Sequence, residues 1–367
     1  MKLSRIFTLL VAGLAMLTAC DNNTEGNSDN GGYGATLTFD KETVEVNTPV
    51  TFTVTTTEGE DVTATALFYD KTHGYKLIEN PFTPTEDGKY DIYAVSGNYI
   101  SQSATLVVTP AFPALPEDKE EANLAFNHRI LLVDHSGTQC SACPGMMNAL
   151  KELEEDEAYH GKYHEAISHS FNTNDPAGSS AAYALKTFFS VNEYPTLTYN
   201  FAHSAVTVSA NLSHTKQQID ALWSKEGADV GITAAASLGT NCVAVNTEVK
   251  AKSEGEYRIT AWLLEDGIYQ MQSGASEEWH NTHNNALRAT ANDKKTHLTG
   301  YDLGTLTAGA KSTKRLTLEL KSNWVRENLK VLVIASKKNE KGVFDVANVV
   351  LCPIGEVVEY DYIKVEE

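Results

Sequence analysis

Hydrophobic and polar residues alternate along residues 35–110, as they do in strands that bury one face. The apolar positions lie two apart in short runs: Leu37 and Phe39, Val44 and Val46, Val50 to Val54, Ala66 and Phe68, Tyr90 and Ile92, and Ala104 to Val108. Turn-forming segments such as Thr57-Glu58-Gly59 separate these runs. The pattern predicts a β-sandwich of short antiparallel strands over residues 35–110.

The pattern changes after a proline-rich and charged boundary at residues 111–121. From there, β-prone apolar runs alternate with runs that have helical spacing. The predicted strands are Ile130–Asp134, Glu165–Phe171 and Glu193–Tyr199, and the predicted helices run from Cys140 to about Glu157, from Ser179 to Ser190 and from Thr215 to Trp223. We predict an α/β domain over residues 111–228.

Alternation returns beyond Gly227 and continues almost to the end of the chain. The runs are Val230–Ala236, Cys242–Val249, Tyr257–Leu264, Ile268–Met271, Leu316–Leu320, Val331–Ile334 and Phe344–Val350. They predict a C-terminal antiparallel β-sandwich over residues 229–367.

The first 20 residues have the order of a bacterial lipoprotein signal. A basic start is followed by the apolar run Ile6–Leu17 and by small residues before Cys20. We predict that residues 1–20 are a signal peptide ending at a lipidated Cys20, and that the polar residues 21–34 are a flexible tether. An ordinary signal peptide, cut elsewhere, is the alternative.

This start predicts a protein of the cell envelope, held to the membrane by a lipid anchor. Asp21 and Glu25 resemble signals that send some lipoproteins to the outer membrane, although a solvated linker has the same composition. The protein would then face the periplasm or the cell surface.

Composition limits the partners further. Hydrophobic residues make up 42% of the 367 residues, which is typical of a globular chain. The 48 acidic residues exceed the 29 basic ones and give a net charge of -19. An acidic surface repels phosphate backbones, so we expect no nucleic acid partner.

Four cysteines remain after Cys20, and an exported chain meets an oxidising compartment. Cys140 and Cys143 are three residues apart, so they can close a small disulfide. The N-terminal end of a helix favours the thiolate form of Cys140, which makes it the candidate nucleophile. Cys242 and Cys352 are a candidate structural disulfide, and two buried free thiols are the alternative.

Two metal sites deserve comparison with the disulfide. The spacing of Cys140, Cys143, His160 and His164 is close to that of a zinc site, but a continuous helix between the pairs holds them about 25 Å apart. His280 and His283, near Glu277, lack a clear further ligand. We therefore expect neither a metal ion nor another cofactor.

Asp134, the Cys140–Cys143 pair and Pro195 together resemble the thioredoxin-like family over residues 125–226. The resemblance implies that Asp134 is a buried acid that assists proton transfer to Cys143. It also implies a cis Pro195 that faces the disulfide and pairs with the substrate. Gln139 stands where thioredoxins have Trp, and Ser141-Ala142 replaces Gly-Pro. The resemblance therefore fixes neither the substrate nor the reduction potential of the cysteine pair.

Other segments extend the resemblance. Residues 87–94 are similar to the corner region of immunoglobulin-like domains, with Tyr90 as the corner tyrosine. Together these units resemble the outer-membrane-protein-28-related lipoprotein family over about residues 115–367, with a multidomain order of immunoglobulin-like β-sandwich, thioredoxin-like α/β domain and antiparallel β-sandwich. That family name implies a location more than an activity.

The function predicted from these residues is thiol–disulfide exchange on the thiols or disulfides of exported proteins, carried by Cys140 and Cys143. The alternative is a non-catalytic outer-membrane or surface lipoprotein that binds a protein or a glycan through its β-domains. In that case the Cys140–Cys143 pair is a structural disulfide.

Overall fold

The computed structural model describes residues 33–291 and 298–364. The predicted signal peptide, its lipidated Cys20 and nearly all of the tether lie outside the described residues.

The N-terminal unit is a β-sandwich whose apolar core lies between Ala35 and Val108. Its strands are β1 (Ala35–Phe39), β2 (Thr43–Glu45), β3 (Phe52–Thr56), β4 (Leu67–Asp70), β5 (Lys76–Ile78), β6 (Gly88–Ser96), β7 (Tyr99–Ile100) and β8 (Ala104–Thr109). β1 pairs with β3, and the second sheet has the order β2-β8-β6-β4-β5, with β7 on β6. The Tyr90 hydroxyl donates to the Glu86 carbonyl oxygen at 2.8 Å, four residues earlier in the chain.

The α/β unit follows with alternating strands and helices. Its elements are β9 (Ile130–Ser136), α1 (Cys143–Glu154), β10 (Tyr163–His169), α2 (Ser180–Phe188), β11 (Thr196–Tyr199), β12 (Ala202–Val208) and α3 (Leu212–Leu222). β10 runs parallel to β9, β11 antiparallel to β9, and β12 antiparallel to β11.

Strand β9 is the centre of this unit, and all seven of its residues are buried. Successive side chains of a strand point to opposite faces. Ile130 and Leu132 therefore share a core with Leu153 of α1, whereas Leu131 shares a core with Leu185 of α2. A strand buried on both faces reads as an unbroken apolar run, which is why Ile130–Val133 was recognisable in the sequence.

The C-terminal unit is a sandwich of long strands. Its strands are β13 (Val230–Leu238), β14 (Cys242–Ala251), β15 (Gly255–Glu265), β16 (Ile268–Tyr269), β17 (Thr282–His283), β18 (Ala286–Thr290), β19 (Tyr301–Leu306), β20 (Lys311–Glu319), β21 (Leu329–Lys338), β22 (Phe344–Pro353) and β23 (Val357–Val358). The sheet β20-β14-β13-β23 packs on β15, β21 and β22 around a common apolar core.

A single nine-stranded sheet joins the α/β unit to the C-terminal unit in the order β12-β11-β9-β10-β18-β15-β21-β22, with β19 on β15. The seam is a parallel contact between Ile167 and Ala286, where the Ile167 N–H donates to the Asn285 carbonyl oxygen at 2.8 Å. Trp262 and Leu332 pack in the same core as Leu131. The sequence-based boundary between 228 and 229 is therefore crossed by one sheet and one core.

The candidate disulfide between Cys242 and Cys352 does not form, since both thiols are free and buried. They lie on strands of different sheets. Cys242 begins β14 beside Asp87 of the N-terminal unit, whose carboxylate accepts the Cys242 N–H at 2.8 Å. Cys352 packs in the C-terminal core instead. Of the two alternatives, separate buried thiols are the one observed.

Candidate functional site

A disulfide between Cys140 and Cys143 lies where β9 gives way to α1. The turn begins at Gly137, where a Cβ atom would come within 2.5 Å of the Phe171 Cβ, so glycine is needed at this close approach. Pro144 lies in the first turn of α1. Backbone N–H groups in that turn have no carbonyl partner within the helix, so a proline there costs no hydrogen bond.

The start of the helix corrects one expectation. α1 begins at Cys143, so Cys140 lies in the preceding turn and not in the first helical turn. The Cys143 N–H donates to the Cys140 carbonyl oxygen at 3.2 Å, and this contact closes the turn.

A buried aspartate, Asp175, is hydrogen-bonded to the main chain of this turn. The Asp175 carboxylate accepts the Thr138 N–H at 2.7 Å and lies 3.1 Å from His169 Nδ1, with both side chains almost fully buried. Burial alone would raise the pKa of Asp175, but the hydrogen bonds from His169 and Thr138 lower it to about 2. The sequence pattern gave no signal for this support, because Asp175 and Thr138 are 37 residues apart.

Asp134 lies on β9, two residues before its end, and is buried as predicted. Burial raises the pKa of Asp134 well above its ordinary value, and the nearby Glu165 carboxyl adds to the rise. Asp134 Oδ1 has no hydrogen-bond partner among the described residues. The side chain is therefore suited to hold a proton at pH values at which an ordinary aspartate is ionised.

Pro195 precedes β11 and follows a cis peptide bond with Tyr194, as predicted. Thr196, the next residue, pairs with His135 of β9. This register brings Pro195 to the end of β9 from which the cysteine turn leaves.

A segment of the C-terminal unit covers the cysteine turn. We call residues Gln270–Ala275 the strap. The Gln272 side-chain amide donates to the Cys140 carbonyl oxygen at 2.9 Å, and the Ser273 N–H donates to the Thr138 carbonyl oxygen at 2.7 Å. With the strap in place, Cys140 is 3% exposed and Cys143 0%. Sequence spacing gave no signal for this contact, because Gln272 and Cys140 are 132 residues apart.

A crevice of about 1180 Å³ opens on the face of the sheet that α1 covers. Its walls include Asp134, Glu165, His169, Trp279 and Lys330. Burial raises the pKa of Glu165, so this wall holds two carboxyl groups that resist ionisation. Asp134 therefore borders this crevice while itself remaining buried.

The alternative metal sites do not assemble. Within residues 33–291 and 298–364, no group of three or more histidine, cysteine or acidic side chains could hold a metal ion. The cysteines of the zinc alternative form the disulfide, and His160 Nε2 donates to the Glu154 carbonyl oxygen at 2.7 Å. His280 lies 3.0 Å from the Asn148 amide oxygen, and His283 donates to the Gln270 carbonyl oxygen at 3.0 Å. The last contact supports the strap.

His135, next to Asp134 on β9, makes the fold sensitive to acid. Burial lowers its pKa from 6.5 to about 3, so the folded chain leaves it neutral while the unfolded chain protonates it below about pH 6.5. The free energy of unfolding should therefore fall as the pH drops from 7.5 to 4.5, by about 3 kcal/mol from this group. Urea unfolding at the two pH values should show a smaller fall in His135→Gln.

The exposed His203 gives the matched control, His203→Gln. An equal flattening of the pH dependence in both variants would contradict the assignment to His135.

Residues 182–354 match the Omp28 family, described as outer membrane protein Omp28. The matched span contains the strap and most of the C-terminal unit, and it begins after the cysteine pair. Nothing among curated proteins matches the chain.

Among solved structures, HBP35 of Porphyromonas gingivalis is similar over 66% of this chain and 79% of its own, with 14% sequence identity and a TM-score of 0.52. This likeness indicates a shared fold. A putative membrane anchored protein from Corynebacterium diphtheriae aligns over 91% of this chain and 61% of its own, with 9% identity and a TM-score of 0.22, too low to indicate one. In the part of the chain that the structure describes, no helix has the length and apolar character to cross a membrane.

Proposed function

We propose that this chain is an envelope protein that performs thiol–disulfide exchange through Cys140 and Cys143. The observation that carries the proposal is the disulfide at the end of a buried central strand that also holds a buried carboxyl group, Asp134. The order of strands and helices in residues 130–222 and the position of Pro195 before β11 support a thioredoxin-like assignment of this unit.

The chemistry moves one disulfide between two molecules. A client thiolate attacks Cys140 Sγ, the Cys140–Cys143 bond breaks, and Cys143 leaves as a thiolate. A second client thiolate then attacks the client sulfur of the mixed disulfide and releases Cys140. The client loses two electrons and the cysteine pair gains them; a client disulfide is reduced by the reverse sequence.

Asp134 is the group that we assign to proton transfer at Cys143. Its raised pKa keeps the carboxyl protonated where an ordinary aspartate would be ionised. It can therefore give a proton to the Cys143 thiolate as that sulfur leaves, and take it back when the disulfide forms again.

The lipid anchor at Cys20 and the outer-membrane location belong to the same proposal. The Omp28 match over residues 182–354 supports an outer-membrane or envelope location. The acidic composition fits protein clients better than nucleic acid.

A second function has one observation in its favour. The buried Cys140 and Cys143 are shielded as a structural disulfide would be. The chain would then be a non-catalytic surface lipoprotein that binds a protein or a glycan through its β-units.

The reduction potential of the Cys140–Cys143 pair in the full chain, purified in detergent, separates these functions. An exchanger should have a potential between about -120 and -270 mV, whereas a structural disulfide should lie below about -300 mV. Cys242→Ser, which removes a buried free thiol elsewhere, is the control that should leave the potential unchanged. A value below about -300 mV would contradict exchange and favour the binding protein.

A further inference from the structure

The strap lies directly on the turn that carries the reactive sulfurs. Gln272 is 5% exposed, and its side-chain amide donates to the carbonyl oxygens of Cys140 and Gly137 at 2.9 and 3.3 Å. The Ser273 N–H adds a main-chain hydrogen bond to the Thr138 carbonyl oxygen. Three hydrogen bonds thus join the strap to residues 137–140.

Gly274 shows how close this contact is. Its φ of +75° is a left-handed conformation, and a Cβ atom there would lie 2.4 Å from the Ser141 carbonyl oxygen. Real Cβ atoms do not approach oxygen so closely, so the strap is seated against Ser141, the first of the two residues between the cysteines, with no room for a side chain.

The strap is held on its inner side and open on its outer side. Asn281 accepts the Gln272 N–H on its side-chain oxygen and the Gln270 N–H on its carbonyl oxygen, both at 2.9 Å. Met271 is 72% exposed and the preceding Tyr269 64%. The strap is therefore itself the outer surface at this point, a single layer of chain against the main chain of the cysteine turn.

The large crevice described above does not give a client access to the cysteine pair. Asp134 and Ser136 contribute to its walls, but among the described residues that line it there is neither Cys140 nor Cys143. A client thiolate must reach Cys140 Sγ along the line of the disulfide bond. Cys140 is 3% exposed, so that approach requires part of its cover to move, and the strap is the part of that cover that lies at the outer surface.

We propose that the strap is a gate on the cysteine pair, an inference that rests on the function proposed above. With the strap closed the disulfide is protected, and exchange occurs only from a state in which the bonds of Gln272 and Ser273 to the turn are broken. The observed rate is then the rate of the open state multiplied by the fraction of molecules that are open. A client that binds and displaces the strap raises the open fraction, so it reacts faster than a client that waits for the strap to open by itself.

Gly274→Ala is the variant that forces the strap away, because the added methyl group meets Ser141. Gly342→Ala is its matched control, since Gly342 has a φ of +78° and nothing within 4 Å of the added Cβ. In the full chain, reduction of the Cys140–Cys143 disulfide by tris(2-carboxyethyl)phosphine, which becomes the phosphine oxide, should be about tenfold faster or more in Gly274→Ala. Gly342→Ala should react at the wild-type rate.

Gln272→Ala tests the same gate without adding a methyl group at the contact. It removes the two side-chain hydrogen bonds from Gln272 to the turn and should also accelerate reduction of the disulfide. Wild-type rates in both strap variants, with circular dichroism showing that each is folded, would overturn the gate.

Turnover of insulin disulfides is the second readout. Faster reduction by the phosphine with no insulin turnover in any variant supports the gate and refutes the exchange function. Equal reduction by the phosphine in wild type and both strap variants, with insulin turnover in all three, refutes the gate and leaves the exchange function standing.

Discussion

Replacing Cys140 with serine should reduce thiol–disulfide exchange by the full chain to the uncatalysed rate. A serine hydroxyl is neither a thiolate nor a partner for a disulfide, so both the attack on the client and the return step are lost. Turnover of a disulfide-bonded protein such as insulin, in a glutathione buffer, measures this loss.

Cys143→Ser should fail differently, and the difference identifies the two roles. Cys140 can still attack a client disulfide, but the second sulfur that resolves the mixed disulfide is absent. The variant should therefore accumulate a covalent complex with its client, visible as a band that a reducing agent removes. Cys352→Ser, at a buried free thiol of the C-terminal core, is the control that should keep wild-type turnover. Wild-type turnover by Cys140→Ser would refute the proposed exchange.

A chain cut to residues 111–228 should not fold, even though the sequence pattern marks it as a domain. Leu131, Leu185, Phe189 and Phe201 share their core with Trp262 and its neighbours in the C-terminal unit. Exposing large apolar side chains costs about 1.5–3 kcal/mol each, and several of them together approach the whole stability of an ordinary domain, about 5–15 kcal/mol.

The matched control is a chain of residues 111–367, which also lacks the N-terminal unit but keeps the C-terminal unit. That unit has a core of its own, so its removal leaves the shared core intact. Because α1, α2 and α3 all lie within 111–228, far-ultraviolet circular dichroism should report helix in the longer chain and little in the shorter one. A shorter chain with native helix content and a cooperative unfolding transition would contradict the prediction.

The sequence predicted those parts of the fold whose pattern is local. Alternation located most strands of the two sandwiches because each buries one face, and the apolar run of β9 marked a strand buried on both. The chemistry at Asp134, Cys140 and Cys143 was also readable, since the three residues lie within ten positions of one another. Helix α1 starts three residues later than expected because the pair itself forms the turn.

Features made by distant residues could not be predicted in this way. The seam between Ile167 and Ala286 joins segments more than 100 residues apart, and β18 itself was missed. The run Ile268–Met271 read as one strand, but β16 ends at Tyr269 because the chain turns there toward the cysteines. Cys242 and Cys352 were candidate partners by count alone, and their placement on different sheets decided otherwise.

The distance along the chain between the disulfide and the strap has a consequence for the order of events during synthesis. Gln272 follows Cys140 by 132 residues, so at synthesis rates of about 5–20 residues per second the cysteines emerge roughly 7–26 seconds before their cover. The strap can fold onto the turn only after residues 270–275 have followed, so an oxidant that acts on the chain before then meets two uncovered thiols. The disulfide can thus be introduced before the strap has folded. In the completed chain, the strap then limits which thiols can reduce the disulfide.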